Sequence, residues 1–181
     1  GAVVAPVMTG GKWTIAQDGT PLWDRRFVQC WHQMFNADGS KLAAIVAPKY
    51  GRWTIAVDGQ PWATTFGEMV ADALFSPDGT RIAAQGKEDG RWTVVVDDRP
   101  WAEAYDMVWK PVFSPDGHHV GAKVVKGGAY TVVINGTPWK QRCEAVWDPV
   151  FSPDGGSKVL IRSIEGGKYY RRVIPVSEVT G

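Results

Sequence analysis

Cysteine and histidine are scarce in this chain of 181 residues, and neither charge sign is in large excess. Its two cysteines, Cys30 and Cys143, form neither a CxxC nor a CxxCH motif, so the usual spacings of zinc, redox and haem-attachment sites are missing. The net charge is +1 with no basic block, which argues against nucleic-acid binding. No apolar run approaches the roughly 18 residues of a membrane-spanning helix. We therefore expect two free buried thiols, no resident metal or cofactor, and no direct membrane span.

Motifs of catalytic sites are missing as well. The chain has no G-x-G-x-x-G, no P-loop and no G-x-S-x-G. His118 and His119 lack a third metal ligand nearby in sequence, and His32 beside Cys30 lacks an orienting third group for a nucleophilic pair. The expectation is that the chain is not an enzyme. A weaker alternative is an enzyme with a pocket at the mouth of a central channel.

Tryptophan and one short stretch are abundant by contrast. The stretch PVFSPDG occurs at 111–117 and 149–155, with ALFSPDG at 73–79 and QMFNADG at 33–39. Aromatic landmarks outside it keep the same period of about 39 residues. One landmark is the aromatic residue of a glycine-containing hairpin, which we assign to Trp13, Trp53, Trp92, Tyr130 and Tyr170. The other follows a proline, at Trp23 (after an inserted Leu22), Trp62, Trp101 and Trp139. Several landmarks with one period indicate an internal repeat.

The Ser-Pro-Asp-Gly stretch suits a hairpin turn better than a catalytic site. Pro77 has φ preset for the second position of a type I turn, Asp78 suits the third, and Gly79 supplies a left-handed residue. Ser76 can hydrogen-bond back into the loop. A catalytic acid would not recur once per repeat, so we interpret the stretch as structural.

Each repeat is interpreted as four short strands, with almost no helix in the chain. Four strands per repeat of this length are typical of the blades of a β-propeller. The sequence predicts an all-β propeller of about 18 strands: five four-stranded antiparallel blades with an incomplete closing blade, or part of a larger propeller. It forms one domain, 1–181, whose units are 1–30, 31–70, 71–108, 109–146 and 147–181. Residues 1–7 align with 41–47, in the second strand of a blade. We expect any open strand edges to be covered by a second chain, a second copy or further sequence.

All ten tryptophans occupy three positions of the repeat, and the third of these holds Trp31, Trp109 and Trp147. A cofactor-binding site or a sugar-stacking surface would bring several aromatic rings together in one place. Rings that recur with the period are better explained by packing between blades.

The repeats resemble the WD40-like PD40 repeats of TolB-type propellers, through LFSPDGTRIAAQ (74–85), VFSPDGHHVGAK (112–123) and VFSPDGGSKVLI (150–161). The Gly-His and Trp-Asp pair of true WD40 repeats is absent. GRWTVVVDDRPW (90–101) is similar to the tryptophan-rich propeller subunit of Tmc-type transmembrane electron-transfer complexes of sulfate-reducing bacteria. That likeness implies an accessory role in a redox assembly whose redox centres belong to partner subunits.

Two sets of residues are candidate sites. Seven residues before the repeat phenylalanines lie Glu68, Asp106 and Glu144, with Val28 in the first copy, and three acids at a channel mouth could bind a cation or a basic peptide. Two basic pairs, Arg25-Arg26 and Arg171-Arg172, are candidate rim contacts.

Together these features favour a non-catalytic platform for protein–protein interaction, as an accessory subunit of a bacterial membrane-associated electron-transfer complex. The alternative is a ligand-binding or substrate-gating propeller, TolB-like or attached to a peptidase. The compartment stays open between the cytoplasmic side of a bacterial inner membrane and the periplasm.

Overall fold

The computed structural model describes residues 2–181, and strands dominate that part of the chain. Its twenty strands belong to five antiparallel sheets that follow one another along the sequence. The one helix among these residues, α1, is a four-residue turn at Ser177–Thr180. No helix in the described part of the chain has the length and apolar character needed to cross a membrane.

The first three sheets have simple strand orders, because each strand pairs with the next along the chain. The first sheet contains β1 (Val4–Thr9), β2 (Lys12–Gln17) and β3 (Thr20–Pro21). The second contains β4 (Gln29–Phe35), β5 (Leu42–Lys49), β6 (Arg52–Val57) and β7 (Gln60–Pro61). The third contains β8 (Met69–Phe75), β9 (Ile82–Glu88), β10 (Arg91–Val96) and β11 (Arg99–Pro100).

The last two sheets differ because their first strand is divided. The fourth sheet contains β12 (Met107–Val108), β13 (Val112–Phe113), β14 (Val120–Lys126), β15 (Ala129–Ile134) and β16 (Thr137–Pro138). The fifth contains β17 (Ala145–Val146), β18 (Val150–Phe151), β19 (Lys158–Glu165) and β20 (Lys168–Pro175). If each divided strand counts once, residues 2–181 form 18 strands, the number that the repeat predicts. Each of the last four sheets begins two residues before its predicted unit.

The repeat pattern also predicts one strand at 109–113 (WKPVF), and this prediction is wrong. Pro111 lies between β12 and β13, and Pro149 lies between β17 and β18. Proline has no N–H for the ladder, so it interrupts pairing inside a sheet. The second and third sheets instead have a bulge at this place, where His32 and Asp72 adopt φ of 54° and 50°.

The two faces of each central strand pack on two different neighbours. In β5, Ala43 and Ile45 join a buried cluster with the third sheet, whereas Leu42, Ala44 and Val46 join one with the first sheet. This follows from the two-residue alternation of side chains in a strand. Two further clusters join the third sheet to the fourth and the fourth to the fifth. Sheets stacked face to face in chain order are the architecture of propeller blades.

The stack is open within the described residues. Five sheets share four buried clusters, and among residues 2–181 none of these clusters joins the fifth sheet to the first. A closed ring of five blades is therefore not what these residues form. That the chain is part of a larger propeller stays a prediction.

Two alignments from the sequence are wrong by one residue. Ala5 lies opposite Ala16 as Ala44 lies opposite Ala56, so residues 2–8, rather than 1–7, correspond to 41–47. In the last sheet Tyr169 pairs with Ile164 as Tyr130 pairs with Val125. The aromatic landmark of that repeat is therefore Tyr169 and not Tyr170. A slip of one residue moves every side chain to the other face of a sheet, so this correction decides which arginine is exposed.

Eight of the ten tryptophans pack in or against the buried clusters between sheets, and Trp109 and Trp147 do not. Trp23 and Trp139 are buried members of the clusters. Half-buried rings pack against the same clusters, at Trp13, Trp31, Trp53, Trp62, Trp92 and Trp101. Trp147 is exposed.

Candidate interaction surface

The Ser-Pro-Asp-Gly turns are closed hydrogen-bond systems. The Ser76 hydroxyl donates to the Asp78 carboxylate and accepts from the N–H of Arg81 at 3.0 Å. The Ser76 hydroxyl, ahead of the Thr80 hydroxyl, lowers the pKa of Asp78 to about 2. Ser114 and Asp116 repeat the arrangement, as do Ser152 and Asp154. These acids and hydroxyls bond to each other and to the backbone, which supports the structural interpretation.

The acids Glu68, Asp106 and Glu144 share one place in their repeats, and each bonds within its own sheet. Each accepts an N–H from a glycine in the hairpin of its own sheet: Gly90 for Glu68, Gly127 for Asp106 and Gly167 for Glu144. Glu68 also pairs with Lys87, and Asp106 with Arg91. The Lys87 ammonium and the Gly90 N–H lower the pKa of Glu68. These contacts hold the hairpin ends of the sheets, and binding of a cation or a basic peptide by the three acids stays a prediction.

The cysteines and histidines have local contacts of their own. Both cysteines are free and buried, as the sequence predicts, and burial raises the pKa of the Cys30 thiol to about 11. His32 lies 3.1 Å from the carbonyl oxygen of Ala73, and His119 lies 2.9 Å from the Asn135 amide. Among residues 2–181 no three His, Cys, Asp or Glu side chains are grouped so that they could hold a metal ion.

The two basic pairs lie at opposite ends of the stack. Arg26 donates to the carbonyl oxygen of Thr9, and the Arg25 carbonyl accepts from the Thr14 hydroxyl. In the last sheet the pair is divided between two faces. Arg172 forms an ion pair with Glu165 and lies over the rings of Trp139 and Tyr170, toward the fourth sheet. Arg171 points to the other face, because neighbouring residues of a strand alternate.

That other face of the last sheet is uncovered in the described chain and carries exposed apolar side chains. Trp147, Val150, Tyr169 and Val173 are 40%, 48%, 58% and 60% exposed. Leu160 joins them, because it lies between Val150 and Val173 across three strands. We call Trp147, Val150, Leu160, Arg162, Tyr169, Arg171 and Val173 the terminal face.

An aromatic pair on the terminal face has an equivalent on the corresponding face of the second sheet. Trp147 and Tyr169 meet edge to face with ring centres 5.7 Å apart. Their equivalents in the second sheet, Trp31 and Trp53, also meet edge to face, at 4.9 Å. Trp31 and Trp53 pack against the cluster shared with the third sheet. The terminal face therefore keeps an aromatic pair that serves as an inter-sheet contact elsewhere.

Arginine at position 171 differs from the residues at the equivalent positions of the other sheets. The equivalent third-strand residues are buried aliphatic side chains, namely Ile15, Ile55, Val94 and Val132. Arg171 lies directly opposite Arg162, and neither forms an ion pair within the described residues. The Arg162 Nε atom is buried and has no hydrogen-bond partner among those residues. The terminal face thus combines an apolar, aromatic surface with two unpaired guanidinium groups.

Sequence reasoning named Arg171 but missed its neighbours on the terminal face. The available signal was the repeat itself, since an arginine stands where four other copies have Ile or Val. The assignment of the landmark to Tyr170 placed Arg172 at that position and concealed the departure.

Comparisons with known proteins bear on the fold. No protein-family model matches the chain, and no curated protein matches it. Solved structures to which it is similar include TolB from Acinetobacter baumannii, with 16% identity, a TM-score of 0.47 and coverage of 97% of this chain and 50% of that one. Putative TolB from Agrobacterium tumefaciens has 15% identity, a TM-score of 0.47 and coverage of 97% and 74%. The Dos1 propeller has 15% identity, a TM-score of 0.46 and coverage of 92% and 48%.

This chain spans about half the length of the first of these structures. At such identities the likeness concerns the fold alone, and the propeller assignment rests on the sheet order described above. The Tmc likeness stays a prediction.

Proposed function

We propose that this chain is a non-catalytic propeller module that binds a partner protein through the terminal face. The observation that carries the proposal is Arg171, exposed beside Trp147 and Tyr169 at a position where the other four sheets bury an aliphatic side chain. An arginine there gives up inter-sheet packing and leaves a charge available to another molecule.

The chemistry of the terminal face indicates the kind of partner. Tryptophan, tyrosine and arginine are the residues most enriched at the energetic centres of protein interfaces. Arg162 and Arg171 have no acidic counterpart within the described chain, so charge complementarity calls for a partner with a carboxylate between apolar side chains. We therefore commit to an acidic, apolar segment of another protein as the occupant.

The finer part of the proposal concerns the assembly. The likeness of residues 90–101 to a Tmc-type subunit supports an accessory role in a membrane-associated electron-transfer complex. In that role the chain supplies binding surface, and haem or iron–sulfur groups belong to the partner.

The test is affinity purification from the source cells with quantitative mass spectrometry, using wild type, Arg171→Glu and the control Tyr50→Ser. Tyr50 is 92% exposed in the turn between β5 and β6 of the second sheet and is not part of the terminal face. We expect at least one protein to be retained by wild type and by Tyr50→Ser and to be lost with Arg171→Glu. Its identification as a haem or iron–sulfur subunit would support the finer proposal, and a hydrolase would contradict that part. If no retained protein depends on Arg171, the proposed function is wrong.

A further inference from the structure

The fifth sheet lacks the segment that covers the third strand of every other sheet. In the first four sheets the chain turns after the third strand and returns antiparallel along its outer edge, through β3, β7, β11 and β16. Each return segment then meets the aromatic landmark of the third strand in a bridge, at Trp13–Phe27, Trp53–Phe66, Trp92–Tyr105 and Tyr130–Cys143. Within residues 2–181, no strand pairs with the outer edge of β20, the equivalent strand of the fifth sheet.

The residues at the end of β20 cannot form the turn that starts such a return. The two turn positions have positive φ in the other sheets, for example 50° at Asn135 and 84° at Gly136. Ile174 and Pro175 occupy these positions in the fifth sheet, and the proline ring fixes φ near about −65°. The strand therefore continues through both residues, and the chain enters α1, where Val179 joins the cluster between the fourth and fifth sheets. The segment directly after β20 leaves the outer edge uncovered.

Specific backbone groups lack a partner on this edge. In the fourth sheet the Tyr130 N–H donates to the Cys143 carbonyl oxygen at 2.9 Å, and the Tyr130 carbonyl oxygen accepts an N–H at 2.8 Å. The Val132 carbonyl oxygen also accepts an N–H of the return segment, at 2.8 Å. The equivalent groups, on Tyr169 and Arg171, have no such partner among residues 2–181. Both residues are exposed, so another molecule can reach this edge.

A basic side chain at the start of the third strand holds the return segment in two sheets. Arg52 and Arg91 each donate to a carbonyl oxygen of that segment, at 2.7 and 2.8 Å. Arg91 also forms an ion pair with Asp106, at the end of its segment. Lys168 occupies this position in β20, is exposed, and forms no ion pair in the described part of the chain. It can therefore hold an acidic segment in the same way.

From these features we infer that β20 is a strand-addition site. An extended acidic segment of the partner protein pairs antiparallel with its outer edge and becomes the fourth strand of the fifth sheet. This inference rests on the proposed function and adds the mode of binding to it. Hydrogen bonds to the backbone of Tyr169 and Arg171 give affinity, and carboxylates beside Lys168 and Arg171 select an acidic sequence.

The first test is isothermal titration of the protein with the synthetic peptide DDRPWAEAYD. This sequence, residues 97–106, includes the return segment of the third sheet and is acidic. The comparison peptide is NGTPWKQRCE, residues 135–144, which includes the return segment of the fourth sheet and has more basic than acidic residues. We expect the acidic peptide to bind, and the comparison peptide to bind at least tenfold more weakly. Failure of the acidic peptide to bind would overturn the inference.

A modified peptide separates strand pairing from attraction between side chains. In the third sheet the Tyr105 N–H donates to the Trp92 carbonyl oxygen at 2.7 Å, whereas the Ala104 N–H has no backbone partner among residues 2–181. N-methylation of the peptide at its tyrosine should therefore weaken binding about five- to tenfold, the size of one hydrogen bond. N-methylation at the alanine before it is the control and should have little effect. Equal binding by the two methylated peptides would overturn strand addition.

Two lysine variants test the selection for acid. Lys168→Gln should weaken binding of the acidic peptide about threefold, as expected for an exposed ion pair. Lys12→Gln changes the equivalent residue of the first sheet and should leave binding unchanged. An equal effect of both variants would contradict the role of Lys168.

The second test measures hydrogen exchange of the Tyr169 amide. Exchange should be fast in the isolated protein and at least ten times slower in the complex with the protein retained in the affinity purification. Slow exchange in the isolated protein would mean that this chain or a second copy already covers β20, and it would overturn the inference. Unchanged exchange in a complex that depends on Arg171 would overturn strand addition alone. If the peptide result holds but no retained protein depends on Arg171, the strand-addition site stands and the proposed function is wrong.

Discussion

Arg162 and Arg171 lie directly opposite each other on β19 and β20, on the uncovered side of the last sheet. Like charges in directly opposed positions destabilise an antiparallel pair. The aliphatic residues that the other sheets have at the position of Arg171 would avoid this repulsion. In the proposed complex, the partner would offset this repulsion because each guanidinium would meet a carboxylate.

Replacement of Arg171 by Val should stabilise the isolated protein. The change removes the repulsion with Arg162 and restores the residue type of the other sheets, and cross-strand pairs differ by about 0.2–1 kcal/mol. Urea unfolding, followed by tryptophan fluorescence, measures the free energy of unfolding. Arg171→Lys is the control, because it keeps the charge and should leave stability nearly unchanged. A less stable Arg171→Val protein would contradict the interpretation of this pair.

The Ser-Pro-Asp-Gly turns should make stability depend on acid pH. The Ser76 hydroxyl lowers the pKa of Asp78 from 3.8 to about 2 in the folded protein. A lowered carboxyl pKa stabilises the fold above the unfolded value, and this contribution is lost as the pH falls from about 4 to about 2. Urea midpoints measured between pH 6 and pH 2 should therefore fall over that interval.

The variant Ser76→Ala isolates this effect. It removes the donor, so the pKa of Asp78 should move back toward 3.8 in a ¹³C NMR titration of the carboxyl carbon. Ser177→Ala, in the terminal helical turn, is the control and should leave the Asp78 titration unchanged. An unchanged pKa in Ser76→Ala would show that the serine does not hold this carboxylate.

The hydrogen bonds of Asp98 should stabilise the contact between the second and third sheets. Its carboxylate accepts the N–H groups of Ala63 and Thr64 at 2.9 and 2.8 Å. It adopts φ of 67° at a turn position that is glycine in three other sheets. Asp98→Asn keeps the shape but turns an amide NH₂ toward one donor, so the free energy of unfolding should fall by about 1 kcal/mol. Asp89→Asn is the control in another left-handed turn. An equal effect of both variants would contradict a stabilising contact of Asp98 between the two sheets.

Cys30 should react slowly in the folded protein. Burial raises the pKa of its thiol to about 11, so little thiolate is present at pH 8. We expect a thiol reagent such as Ellman's reagent to modify Cys30 in urea far faster than in buffer, with the site assigned by peptide mapping. Fast modification without urea would contradict the burial of Cys30.

The repeat made the fold predictable, while local details depended on residues that break it. The phenylalanine and tryptophan landmarks set the strand number and the hairpin turns. Pro111 interrupts a strand that the pattern of apolar residues continues, because the pattern does not record a missing N–H.

The terminal face was predictable only in part. Its recognition requires the register of β19 with β20, and the adjacent tyrosines, Tyr169 and Tyr170, let the sequence alignment slip by one residue.

The most direct test of the terminal face is site-specific photo-crosslinking in the source cells. A benzophenone amino acid replaces Tyr169 in one protein and Tyr50 in the control, and crosslinked peptides are identified by mass spectrometry. We expect position 169, but not position 50, to crosslink to an acidic segment of a different protein, and the product to disappear when Arg171→Glu is added. Crosslinks from position 169 that reach only this same polypeptide or a second copy of it, or no crosslink at all, would contradict the account.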